Sequence, residues 1–122
     1  MRFAVVAEDN GEMAAALRIL LTSRGWTVVV AGSGSTAISA IQSTRPLVAL
    51  IDVGLPGLSG LEVARRARAE GVMCRLIAMS GFASVQDRKD ARAAGFDLFL
   101  AKPVDPAALY AAFEGPAANA FA

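Results

Sequence analysis

The chain has 122 residues, 12 Lys and Arg against 11 Asp and Glu, a formal net charge of +1 and a hydrophobic fraction of 55%. That is the size of one domain, long enough to bury a core without disulfides or a structural metal. The near balance of charge gives no electrostatic case for nucleic acid or an anionic membrane as the main partner. Histidine is absent, which excludes a His-based triad, His metal ligands and a phosphohistidine on this chain.

Cys74 is the one cysteine, so no internal disulfide forms. No secretory signal opens the sequence, because the short apolar run after Arg2 meets Glu8-Asp9 at once. A reducing, cytoplasmic setting is the expectation. The longest uncharged stretch, between Arg24 and Arg45, is interrupted by Gly32-Ser33-Gly34-Ser35. It does not supply the ~20 apolar residues of a membrane span.

In chain order, the first apolar run is Phe3–Ala7, a predicted strand. Met13, Leu17, Leu20 and Leu21 then line one face of a helix that stops near Arg24-Gly25. Thr27–Ala31 is the second strand, and Ala37, Ile38 and Ile41 mark the second helix. Leu47–Ile51 is the third strand, followed by a helix opening at Ser59-Gly60-Leu61-Glu62, a capping-box pattern. Leu76–Met79 is the fourth strand, and its helix opens similarly at Ser84 with Asp87 three residues on. Leu98–Ala101 is the fifth, followed by a helix capped by Asp105 with Pro106 at its first position.

The strand runs are continuous rather than alternating, as strands covered on both faces require. Five βα units predict an α/β fold with a parallel five-stranded sheet and helices on both faces. The predicted domain spans residues 1–122, with an ordered core over about 2–114 and a loose tail across Glu114–Ala122.

In such sheets a ligand site lies beyond the carboxyl ends of the strands, where strand order reverses. The first strand runs into Glu8-Asp9, the third into Asp52, the fourth into Ser80-Gly81 and the fifth into Lys102-Pro103. Three carboxylates, a hydroxyl and an ammonium thus converge on one edge of an apolar domain. Clustered carboxylates repel and favour a shared proton or a bound cation, and a hard cation such as Mg²⁺ takes oxygen ligands. Phosphoryl transfer to an Asp carboxylate needs in-line positioning and neutralised oxygens, and a bound Mg²⁺, the Lys102 ammonium and the Ser80 hydroxyl with a nearby backbone N–H would each cover one oxygen.

These residues carry a family resemblance. Glu8-Asp9, the stretch Leu50-Ile51-Asp52-Val53-Gly54-Leu55-Pro56-Gly57-Leu58-Ser59-Gly60, the segment Ala78-Met79-Ser80-Gly81 and the segment Phe99-Leu100-Ala101-Lys102-Pro103-Val104 resemble the motifs of response-regulator receiver domains. The resemblance spans Phe3 to about Phe113. It implies a CheY-like, flavodoxin-like sheet of order 2-1-3-4-5 and a two-component or phosphorelay switch rather than an enzyme. Asp52 would be the phosphoacceptor, and Asp9, Asp52 and the Gly54 carbonyl would hold Mg²⁺ (or Mn²⁺), with Glu8 acting mostly through water. Ser80 and Lys102 would grip the phosphoryl group, and Phe99 would be the switch aromatic. The Lys-Pro bond is often cis in the family, which X-Pro bonds tolerate.

The resemblance further implies a sensor histidine kinase or histidine phosphotransfer protein as donor, and a downstream protein contacting the fourth helix, fifth strand and fifth helix. The chain would be a single-domain regulator or a receiver excised from a hybrid kinase or larger regulator. Glu8 stands where Asp is commoner, Ser80 replaces Thr, and Phe99 lacks the Tyr hydroxyl. Gly54 and Phe82 occupy positions that in relatives set phosphoryl lifetime, and neither orients water with a polar side chain; slow self-dephosphorylation is expected.

A rival reading comes from Gly32-Ser33-Gly34-Ser35-Thr36-Ala37, which fits a dinucleotide fingerprint with Asp52 about 20 residues on. It sits after the second strand instead of the first, in a short chain, and leaves Glu8, Asp9, Ser80 and Lys102 without a role. Three other features read as structural. Arg65-Arg66-Ala67-Arg68 is a solvated helix face, Trp26 is packing at the end away from the acids, and Cys74 is a small buried apolar residue.

Overall fold

The computed structural model describes residues 1–116, so only Glu114–Pro116 of the predicted tail fall within it. Its elements alternate strictly: β1 (Arg2–Ala7), α1 (Gly11–Thr22), β2 (Trp26–Ala31), α2 (Gly34–Thr44), β3 (Val48–Asp52), α3 (Gly60–Ala69), β4 (Arg75–Ser80), α4 (Val85–Ala94), β5 (Leu98–Ala101) and α5 (Pro106–Glu114). The strands form one parallel sheet in the order β2-β1-β3-β4-β5. The order reverses between β1 and β3, so their carboxyl ends flank the crevice where such sheets place ligands.

Continuous apolar strands are explained by two separate cores. Val5, Ala49, Ile51, Leu76 and Ala78 face α2, α3 and α4, while Ala4, Val6, Leu50, Ile77 and Met79 face α1 and α5. Alternate side chains of one strand therefore serve opposite cores, and full burial of each Leu or Ile contributes roughly 1.5–3 kcal/mol. At the amino end of the sheet Trp26 pairs in register with Arg2 and packs edge-on against Phe113, ring centroids 5.2 Å apart. The Arg2 guanidinium covers the indole at 4.3 Å. Trp26 thus lies at the far end from the acidic residues.

Three expectations need correction. Ser59 caps α3 by accepting the Glu62 N–H, but the Glu62 carboxylate pairs with Arg65 and Arg66 instead of completing a box. Full capping boxes form at Ser33–Thr36 and Ser84–Asp87. Second, Arg65 and Arg66 are exposed but Arg68 is not part of a solvated face. It donates to the carbonyls of Gly95, Val72 and Cys74 and pairs with Asp97 at 2.8 Å, because those loop carbonyls point to one spot. Third, Cys74 is half-buried, lining a groove between the amino end of β4 and the last turn of α2. Burial still pushes its thiol pKa up from the ordinary 9.0.

Candidate functional site

Glu8 continues β1 by one residue, its N–H donating to Ala31 at 2.9 Å, and its side chain is folded into the protein with 2% exposure. Asp9 beside it is exposed. Asn10 caps α1 by accepting the Met13 N–H, and its own N–H reaches Glu8 Oε2 at 3.3 Å. Asp52 ends β3, buried, with Oδ1 accepting the Gly54 N–H at 2.9 Å. Two neighbouring backbone bonds fix that loop, Val53 N–H to Met79 O at 2.9 Å and Gly60 N–H to Val53 O at 3.0 Å. At Gly60 an added Cβ would lie 2.3 Å from the Asp52 carbonyl oxygen, so only glycine lets α3 start this close to the strand end.

Lys102 follows β5, its N–H bonded to Ser80 O at 2.8 Å, and its peptide bond to Pro103 is cis. Its Nζ donates to Glu8 Oε1 at 2.7 Å and Asp52 Oδ2 at 2.9 Å. Ser80 is buried at the end of β4, its hydroxyl accepting the Phe82 N–H at 3.0 Å. Oxygens of Glu8, Asp9 and Asp52 all lie within 4.8 Å of one another. The structure therefore brings together the three carboxylates and the lysine, with Gly54 in the loop after β3 and Ser80 at the end of β4 beside them. Phe99 is 6% exposed in the core beneath α4, with the Arg88 guanidinium 4.7 Å over its ring.

Electrostatics follow from this geometry. Burial raises the Glu8 pKa above 4.5, the Lys102 bond opposes that, and the neighbouring Asp52 adds to it. For Lys102, burial works downward but the bonds to Glu8 and Asp52 outweigh it, so its pKa stands above 10.5 and the ammonium persists at neutral pH. Three acids meet one ammonium here. An all-oxygen set with that charge imbalance fits a hard divalent ion such as Mg²⁺.

The dinucleotide fingerprint has a different explanation. Ser33 and Thr36 form a capping box, and a Cβ at Gly34 would fall 2.0 Å from the Leu58 carbonyl oxygen. The glycine accommodates the protein's own β3–α3 connection at Leu58. Sequence reasoning missed Arg88 and Arg68 as well as these two close approaches, since nothing local pairs a helix arginine with a distant ring or carbonyl.

A parallel 2-1-3-4-5 sheet with acids beyond its inner strands β1 and β3 and a lysine after its edge strand β5 is a CheY-like α/β fold. The chain belongs to the response regulator receiver domain family, whose model matches residues 4–114, a family of two-component signalling switches. It is 34% identical over 103 residues to the transcriptional regulatory protein KdpE of Mycobacterium tuberculosis, covering 84% of this chain and 45% of KdpE. A 14.6 kDa protein of Leptolyngbya boryana is 33% identical over 104 residues, 84% of this chain and 79% of that protein. The crystal structure of the signal receiver domain of a modulated diguanylate cyclase from Desulfovibrio desulfuricans G20 matches with TM-score 0.82 and 33% identity, over 93% and 91% of the two chains. The chain thus spans less than half of KdpE. Among the described residues no helix is long and apolar enough to cross a membrane.

Proposed function

We propose that Asp52 accepts a phosphoryl group from a phosphohistidine on a sensor histidine kinase or histidine phosphotransfer protein. The observation that carries this reading is the lysine shared between two buried carboxylates, Lys102 Nζ bonded to both Glu8 and Asp52. One Asp52 oxygen forms a bond to phosphorus, the donor P–N bond breaks, and its electron pair leaves with the imidazole nitrogen. The Gly54 N–H holds the carboxylate in orientation. Lys102 and the Ser80 hydroxyl cover oxygens of the transferred group.

Asp9, Asp52 and the Gly54 carbonyl are the residues that would hold Mg²⁺ (or Mn²⁺), with Glu8 acting through water. Bound there, the ion offsets the repulsion between the acids and an incoming phosphoryl group. In the resting protein Glu8 is engaged by Lys102, which suits a residue that acts on the ion at second hand. Phosphorylation shifts a two-state surface on α4, β5 and α5, with Phe99 as the switch aromatic, toward a protein partner. The domain is a switch whose own chemistry is limited to gaining and losing the group on Asp52, in the cytoplasm. We assign residues 1–122 to this one domain, with an ordered core over about 2–114.

Incubation with acetyl phosphate and Mg²⁺ tests the reading by intact mass. The wild type gains one phosphoryl group and Asp52→Asn gains none; no gain in the wild type, or a gain in the variant, overturns it. Gly54 carries no side chain and Phe82 is 80% exposed and apolar, so nothing polar at those positions aims a water at phosphorus. The phosphorylated form therefore decays over minutes or longer, and decay within seconds contradicts this.

A further inference from the structure

The first half of α4 is weakly seated. Only Ala91 and Ala94, in its second half, are buried. Val85 is 70% exposed, and Phe82 in the preceding loop is 80% exposed. Arg88 reaches from this half to the sheet: its guanidinium carbon stands 4.7 Å from the centroid of the buried Phe99 ring. The same group's Nε donates to the Ala83 carbonyl at 3.4 Å. Ala83 lies three residues past Ser80, in the loop whose Phe82 N–H is held by the Ser80 hydroxyl at 3.0 Å.

One guanidinium therefore touches both the loop that starts at Ser80 and the ring on β5. Phe99 has no hydroxyl to fix it by a hydrogen bond, so the cation over its face is the directional contact the structure gives that ring. We propose that Arg88 is a latch, a positioning residue that holds Phe99 in its buried rotamer at rest and couples it to the Ser80 loop. Turning the Ser80 hydroxyl toward a phosphoryl group on Asp52 strains its bond to Phe82 N–H. The loop carrying the Ala83 carbonyl then shifts, the guanidinium follows it, and the stacking on Phe99 is lost. This trigger rests on the phosphoacceptor reading, whereas the resting contact does not.

A half-buried cation over a phenyl ring biases such an equilibrium about two- to fivefold. The test uses the full chain labelled with fluorophenylalanine, the Phe99 signal being assigned by its loss in Phe99→Leu. Arg88→Met keeps the aliphatic stem and removes the cation, and Arg88→Lys restores a cation. Expected in the unphosphorylated state is a Phe99 resonance that moves in Arg88→Met toward its position in acetyl-phosphate-treated wild type and returns in Arg88→Lys. Arg88→Met also takes up phosphoryl groups about two- to fivefold faster, since more of it occupies the receptive conformer. A Phe99 resonance unchanged in Arg88→Met overturns the latch. Should the wild type gain no phosphoryl mass, the phosphoacceptor reading and the coupling fall. The resting-state comparison then still decides whether Arg88 holds the ring.

Discussion

Helices α3 and α4 are each ten residues long, each open on a serine cap and lie on the same face of the sheet, yet they are fastened in opposite ways. Helix α3 buries Gly60, Val63, Ala64 and Ala67, starts against the Asp52 backbone, and ends on Arg68, which ties three loop carbonyls and Asp97. Helix α4 buries two alanines, Ala91 and Ala94, and its Arg88 lies over the Phe99 ring. The side of the crevice bearing Asp52 thus has the more deeply buried helix, and the side beyond Ser80 the more exposed one. A switch needs both: an acceptor that keeps its geometry and a neighbouring surface whose two arrangements differ little in free energy.

The comparison can be broken most severely at Gly60. Gly60→Ala places a methyl against backbone atoms of Asp52 and Val53, and neither can retreat without moving the strand. A loss of about 3 kcal/mol or more is expected in urea unfolding; a loss below about 1 kcal/mol would show that α3 slides freely. Next, Arg68→Met removes the Asp97 pair and three carbonyl bonds, and should cost about 2–3 kcal/mol in the same assay. A smaller effect follows at the more exposed helix. Ser84→Ala removes the capping box of α4, about 1 kcal/mol, and hydrogen exchange should show faster opening confined to α4. Equal protection of α3 and α4 in the wild type would contradict the contrast itself.

The smallest effect is at Cys74, beside the Arg68 staple. Its thiol pKa is raised in the fold, mainly by burial. The unfolded thiol ionises first, so stability is full below pH 9.0 and declines as pH rises through the higher folded value. Stability measured from pH 8 to 10 should therefore fall less in Cys74→Ser than in the wild type, and maleimide should label the native thiol slowly at neutral pH.

Much of this was legible in the residues. The apolar runs marked every strand within one or two residues, because burial on both faces leaves a signal that needs no partner. Ser59, Ser84 and Asp105 announced helix starts, since capping is local chemistry between residues three apart. Glu62 was misjudged because two arginines on its own helix compete for its carboxylate. Arg68 was misjudged because its partners come from the α3–β4 and α4–β5 connections, up to 29 residues away. The glycine pattern at Gly32–Ala37 looked like a ligand loop, when the backbone that approaches Gly34 is the protein's own Leu58.

The sequence alone determined the βα alternation and the identity of the polar residues at the strand ends, because periodicity, capping and strand polarity are written in neighbours along the chain. Only the tertiary structure decided that one lysine joins Glu8 to Asp52, that Phe99 lies under Arg88, and that α3 buries four residues where α4 buries two. Those facts depend on which side chains from distant segments share the same few ångströms, and packing fixes that only once the whole sheet has closed around its two cores.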